Sequence, residues 1–324
     1  MTAPGATLGA VVEQAARRLS AAHVEIPRRT AEWLWMHAAG VGKHELLLDW
    51  QDEADPEAVS AFLAYVARRC AREPLQYILG EAEFAGLHLQ VDRRVLIPRP
   101  ETELLVSAAL TQIVAMCDRA PSSSRLTVVD LGTGSGAVAI ALARALAQQG
   151  RLLQVRLLAT DLSPAALDVA RSNAICCGVK GAIEFLQGDA LLPAAFDAGS
   201  VAGIVANPPY IPESAAAQLQ PEVRDFEPAS ALYGGPDGLD MYRRIVSQAV
   251  TRLAKDAFIA FEVGIHQAQA VSGLIDAAFP GAVVECIPDA QGILRVVVAR
   301  PRIGAQIPSE MLATIRDAPS DSGI

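Results

Sequence analysis

The spacing of apolar and polar positions changes twice along the chain. Up to about residue 75, apolar residues recur at intervals of three and four, the period of a helix with one buried face. "TAEWLWMHAAG" stops at Gly40, and "DPEAVSAFLAYVARRCARE" opens on Asp55 as a cap with Pro56 at the first helical position. A small helical domain over residues 1–75 follows, with Trp33, Trp35 and Trp50 in its core. Residues 76–98 shift to short β-rich runs broken at Gly80, Gly86 and Asp92, which predicts a β-hairpin connector starting within "LQYILGEAEFAGLHLQVDRRVLIPRPETE".

The period changes again in residues 99–300. From Leu126, short continuous apolar runs alternate with helical stretches: "LTVVDLG" before "GAVAIALARALAQQ", then "VRLLATD" before "SPAALDVARSNA", where Ser163 caps and Pro164 opens the helix. "IEFLQGD", "VAGIVAN", "AFIAFEVG", "AVVECI" and "ILRVVVAR" supply five more strands, separated by two further helices. Continuous apolar strands alternating with helices predict a parallel sheet covered on both faces, a doubly wound α/β domain of seven strands. Residues 301–324 read as a polar, frayed tail.

Composition narrows this little. Over 324 residues, 52% hydrophobic and 19% charged positions describe a globular protein. No apolar run reaches membrane length, and the N-terminus reads as an amphipathic helix, so a cytoplasmic location without membrane attachment is expected. A net charge of −9 argues against an extended nucleic-acid footprint. Cys70, Cys117, Cys176, Cys177 and Cys286 show no metal-ligand spacing and read as reduced thiols, mostly core filler; no metal is expected.

Candidate chemistry sits at the carboxyl ends of the strands. "VVDLGTGSGAVA" places Gly132, Gly134 and Gly136 between a strand and a helix, where a ligand can approach the backbone and the helix start offers free amide donors. With Ala137 the run also satisfies the dinucleotide fingerprint, so a nicotinamide enzyme stays in view. The next strand ends at Asp161, placed to accept hydrogen bonds from both ribose hydroxyls of an adenosine. The third ends at Asp189, available to the exocyclic amine of an adenine. Three such features on consecutive strands point to one nucleoside ligand.

These residues resemble the class I S-adenosylmethionine-dependent methyltransferases, with Asp130 as the acidic residue two places before the first glycine. The resemblance implies S-adenosylmethionine as methyl donor and S-adenosylhomocysteine as product. On it, the loop Gly132, Thr133, Gly134, Ser135, Gly136 passes the methionine portion, Asp161 holds the ribose, and Asp189 with Ala190 borders the adenine. The expected fold is the seven-stranded Rossmann-like sheet of that class.

Strand order in such sheets reverses between the first and fourth strands, which puts "NPPY", Asn207, Pro208, Pro209 and Tyr210, beside the transferred methyl and the cofactor. The tetrapeptide holds no acid, base or nucleophile. A planar NH2 is a poor nucleophile because its lone pair is delocalised. The Asn207 side-chain oxygen and the Pro208 carbonyl can each accept one of its hydrogens, leaving nitrogen density aimed at the methyl and favouring the more positive nitrogen of the transition state. The prolines restrict the backbone and donate nothing that competes. Tyr210 offers a flat wall to a planar substrate.

Adenine in DNA and glutamine in protein both present such an NH2, and "NPPY" alone leaves the choice open. "REPLQYILGEAEFAGLHLQV", "VLIPRPETELLV", "NPPYIP", "FEPASALYGGPDGLDMYRRI" and "EVG" together resemble the HemK-type protein-(glutamine-N5) methyltransferases acting on peptide-chain release factors. This implies methylation of the glutamine in the Gly-Gly-Gln loop of the release factor, with the helical N-terminal domain helping dock that partner; separately, a monomer is expected. The "RPETE" form at Arg99 to Glu103 favours release factors over the alternative glutamine of a large-subunit ribosomal protein. A DNA adenine-N6 methyltransferase would need a positive groove, and a catalytically silent release-factor binder would have no need of both loops intact. Arg99 and Glu101 read either as cleft-closing residues or as a surface ion pair.

Overall fold

The structure, a computed structural model, describes residues 6–121, 124–190 and 196–302. The tail expected over 301–324 lies outside them apart from Pro301 and Arg302. The chain forms two compact units, Met1–Glu81 with Leu219–Phe226, and Ala82–Gln218 with Glu227–Ile324.

In the first unit, α1 (Leu8–Ala21), α2 (Pro27–Ala39), α3 (Lys43–Leu48), α4 (Pro56–Cys70) and α5 (Leu75–Leu79) surround a core containing Leu19, Leu34, Trp35 and Phe62. α4 starts where its local chemistry allows: Asp55 accepts from the backbone N–H groups of Glu57 and Ala58 at 3.3 and 3.2 Å, and Pro56 has no N–H that needs a partner. Trp35 packs edge-on against Phe62 at 5.5 Å. Trp33 and Trp50 are only partly buried, each lying under an arginine, Arg29 and Arg28, so the expectation of three core tryptophans is corrected to one. "LQYIL" is also corrected, from strand to helix: Pro74 precedes it, Gly80 ends it in the left-handed region at φ +76°, and one turn buries Tyr77 with Ile78. That packing overrides the β preference of the residues.

From Ala82 the second unit holds the rest of the hairpin of β1 (Glu81–Phe84) and β2 (Leu87–Gln90), followed by α6 (Thr102–Arg119). The α/β alternation runs β3 (Leu126–Leu131), α7 (Ala137–Gln148), β4 (Val155–Asp161), α8 (Pro164–Cys176), β5 (Ile183–Gln187) and β6 (Val201–Ala206). Residues Leu219–Phe226, with the single turn α9 (Pro221–Arg224), belong to the first unit, where Glu222 accepts from Arg69 at 2.8 Å and from Arg72 at 2.7 and 2.6 Å. The chain then forms α10 (Ala229–Leu232), α11 (Asp240–Arg252), β7 (Leu253–Glu262), α12 (Ala268–Ala278), β8 (Val283–Pro288) and β9 (Leu294–Arg300).

These strands form one seven-stranded sheet in the order β5-β4-β3-β6-β7-β9-β8, with only the β7–β9 and β9–β8 pairs antiparallel. Alternate side chains feed two cores. Val128, Leu157, Val205 and Phe258 face one layer; Val129, Leu158, Ile204, Ile259 and Phe261 face the other. The hairpin is tied to this unit by Asn173 of α8, whose side-chain oxygen accepts from the Gln90 N–H at 2.7 Å while its amide donates to the carbonyls of Gln90 and Ser135. Among the described residues the cysteines are free thiols, Cys117 buried but Cys176 exposed, so core filler describes only part of the set. No helix of the described residues is long and apolar enough to cross a membrane.

Candidate active site

The register of the sheet brings the chemistry together. Leu131 of β3 sits opposite Ala206 of β6, and Ala206 opposite Phe261 of β7, so Gly132, Asn207 and Glu262 leave three neighbouring strand ends side by side. A cavity of about 510 Å³ opens there, lined by Gly132, Gly134, Asp161, Asp189, Ala190, Asn207, Pro208 and Pro209, and by Leu162 and Met241. That volume suits a nucleotide-sized ligand.

The glycines have two jobs. Gly132 and Gly134 hold φ of +70° and +55°, and a Cβ on either would meet no atom within 4 Å: it would project into open space on the cavity wall. The bare backbone therefore makes room for a ligand. Gly136, at φ +82°, faces inward, where a Cβ would come within 3.0 Å of Ile140 and 3.1 Å of Ala170. It lets α7 and α8 close up. Thr133 and Ser135 are likewise turned into the protein and buried at 7% and 1% exposure, so within the loop only Gly132 and Gly134 face the cavity.

Asp130 is 1% exposed and works inside the loop: its Oδ2 accepts from the Thr133 hydroxyl at 2.6 Å and the Ala139 N–H at 3.2 Å. Burial raises its pKa to about 7 against those two hydrogen bonds. Asp161 holds the other side of the loop, accepting from the Gly134 N–H on Oδ2 and the Ser163 N–H on Oδ1, both at 2.9 Å. Burial raises its pKa as well. Each oxygen keeps a second lone pair for a ribose hydroxyl. Asp189 lines the cavity, but both its oxygens already accept from one Arg244 nitrogen, at 2.9 and 2.7 Å. Any adenine amine shares that carboxylate with a guanidinium, a partner the sequence reading missed. Ala190 is nearly buried at φ +52° and presents a small apolar wall.

At the substrate end, Asn207, Pro208 and Pro209 line the cavity while Tyr210 does not. The Tyr210 ring packs partly against the apolar core under α11, and burial, with Glu262 nearby, pushes its hydroxyl up to about 12. Gln267 holds its backbone, donating to the Tyr210 carbonyl at 2.9 Å. Gly238 of "GGPDG" passes so close that a Cβ would fall 2.2 Å from that same carbonyl oxygen. The glycine-rich segment after the tetrapeptide thus clamps its backbone.

Behind the tetrapeptide lies a pair that sequence reasoning passed over. Glu262 is 2% exposed, and its Oε2 accepts from the Thr102 hydroxyl at 2.6 Å; the Asn207 Nδ2 donates to that hydroxyl oxygen at 3.1 Å. Burial raises Glu262 to about pKa 7, against the hydrogen bond from Thr102. The available signal was a carboxylate ending an otherwise apolar strand, "AFIAFE". Arg99 donates to Glu227 at 2.5 Å, and that carboxylate also accepts from the Ile97 N–H at 3.3 Å. Since the Glu227 side chain is 1% exposed, this is a semi-buried pair, so the surface-pair option for Arg99 is corrected.

A doubly wound sheet with a glycine loop, a strand-end carboxylate and a neutral hydrogen-bonding loop around one cavity defines a class I methyltransferase. Residues 128–226 match the family model described as a methyltransferase domain, and residues 10–80 match the PrmC N-terminal domain. A "release factor glutamine methyltransferase" of Moorella thermoacetica is 40% identical over 91% of this chain and 99% of its own. Another of the same name, from Cereibacter sphaeroides, is 41% identical over 87% and 94%. Among solved structures, the hMettl16 catalytic domain in complex with MAT2A 3'UTR hairpin 6 aligns over 78% of this chain and 84% of that one, with TM-score 0.51 and 16% identity, a likeness of fold. The chain belongs to the release factor glutamine methyltransferase family.

Proposed function

We propose that this protein transfers a methyl group from S-adenosylmethionine to the side-chain amide nitrogen (N5) of the glutamine in the Gly-Gly-Gln loop of peptide-chain release factors. The observation that carries this is Asn207 and Pro208 lining the same cavity as Gly132, Gly134 and Asp161, in a chain similar over nearly its whole length to proteins named for that activity. A nucleoside site and a neutral amide grip share one chamber.

S-adenosylmethionine, when bound, supplies a methyl on a positively charged sulfur, a strong electrophile with a neutral leaving group. Gly132 and Gly134 would border it, with Asp161 on the ribose and Asp189 and Ala190 at the adenine. The protein then has to orient and desolvate the acceptor. Asn207 Oδ1 and the Pro208 carbonyl each accept one hydrogen of the glutamine NH2. As the nitrogen becomes more positive these two bonds strengthen, so they favour the transition state over the ground state. Pro208 and Pro209 carry no N–H to compete for those oxygens. Tyr210 contributes as a packed support for the loop. The helical first unit is assigned to docking the release factor, and a release-factor substrate places the reaction in the cytoplasm.

The test is transfer of labelled methyl from S-adenosylmethionine to a purified release factor, to the same factor with its Gly-Gly-Gln glutamine changed to alanine, to the large-subunit ribosomal protein and to DNA. Label on the unmodified release factor alone is the expected result. Preferential label on the ribosomal protein or on DNA overturns the assignment.

A further inference from the structure

The acceptor role of Asn207 depends on which end of its amide faces the cavity, because the NH2 end would repel the substrate NH2. Nothing in the tetrapeptide itself decides this. The decision is made one layer back. Glu262, when ionised, can only accept hydrogen bonds. It takes the Thr102 hydroxyl proton at 2.6 Å, which leaves the Thr102 oxygen only lone pairs to offer, and that oxygen meets Asn207 Nδ2 at 3.1 Å. That oxygen demands the NH2 end of Asn207, so Oδ1 is turned the other way.

We propose that Glu262, acting through the hydroxyl of Thr102, holds the Asn207 amide in the one orientation that offers its carbonyl oxygen to the substrate, which makes Thr102 and Glu262 positioning residues for the methyl acceptor. This rests on the reading of the acceptor as an amide NH2. The rest of the site supports the arrangement. Glu262 follows the last residue of β7 paired with β6, the register that sets it beside Asn207, and Tyr242 of α11 pins its backbone by donating to the Glu262 carbonyl at 2.7 Å.

Protonation of Glu262 would remove the bias, because a carboxylic acid can donate to Thr102 and reverse the chain. The groups facing it are Glu101 ahead of α6, Arg295 of β9, Tyr210 after β6 and Tyr242 of α11. Only Arg295 is cationic, so burial prevails and the carboxyl titrates near pH 7. Orientation should therefore be lost as the pH falls through that value.

The experiment compares Thr102→Val, Thr102→Ser and Glu262→Gln with the wild type, each first checked for a cooperative thermal transition. Thr102→Val should lower kcat on the release factor about 10- to 100-fold, with affinity for S-adenosylmethionine within about twofold, and Thr102→Ser should recover most of the loss. The wild-type kcat should fall on the acid side with a limb near pH 7 that Glu262→Gln abolishes. Wild-type turnover in a folded Thr102→Val, a Thr102→Ser as impaired as the valine, or an acid limb unchanged in Glu262→Gln overturns the proposal. A substrate-free arm separates it from the functional reading: the Asn207 side-chain NH2 resonances, identified by their absence in Asn207→Asp, should shift across that pH range in the wild type and not in Glu262→Gln. If no release factor is methylated, the functional reading fails and the resonances still decide the orientation.

Discussion

In the function proposed above Asn207 acts without charge, and the surroundings of its amide explain how. Its nitrogen donates to the Thr102 hydroxyl, its oxygen is left for the proposed substrate, and its backbone is restricted by the two prolines that follow. Asn207→Ala removes one of the two acceptors proposed for the substrate NH2 but no group assigned to holding the cofactor's adenine or ribose. Its kcat is expected to fall about 100-fold while the S-adenosylmethionine dissociation constant, measured by calorimetry, stays within about threefold. The tetrapeptide was legible because its residues are consecutive. Thr102 and Glu262 were not, because 160 positions separate them and their meeting depends on the sheet.

At the scale of elements, the glycine loop divides its labour along its length, and substitution should separate the two roles. Gly134→Ala adds a methyl into the cavity at φ +55°, with no protein atom within 4 Å. It should weaken cofactor binding roughly tenfold, with a stability loss of about 1 kcal/mol from the left-handed backbone. Gly136→Ala forces a methyl against Ala170 and Ile140 at the start of α7, again at positive φ. It should cost about 2–3 kcal/mol, read as a lowered midpoint in urea. The fingerprint spacing announced a loop between strand and helix. Which glycine faces the cavity and which faces protein depends on α8, an element the motif does not contain.

Across the whole molecule, two buried carboxylates of the central sheet share one property. Asp130 and Glu262 both have pKa values raised to about 7, chiefly by burial. In the folded protein they hold a proton up to that pH, whereas the unfolded chain releases it near pH 4. Their contribution to stability is therefore fully present below the unfolded value and lost as pH rises through about 7. Glu262→Gln should be more stable than the wild type at pH 8, by an amount on the order of 2 kcal/mol, and indistinguishable from it at pH 4. Thermal melts of both proteins across that range check this. The ionised state that orients Asn207 is thus the one that costs stability, a compromise common at active sites.

The sequence by itself determined the alternation of strands and helices, the sheet's class, the glycine loop and the neutral tetrapeptide, because each is written in near-neighbour spacing and in backbone chemistry that glycine and proline impose locally. Only the tertiary structure decided that "LQYIL" is a helix, that Arg99 pairs with a buried Glu227, that Arg244 occupies Asp189, and which end of the Asn207 amide meets Thr102. The reason is common to all four. A conformation or hydrogen-bond direction set by burial depends on partners the fold brings from far along the chain, and spacing within a motif carries no record of them.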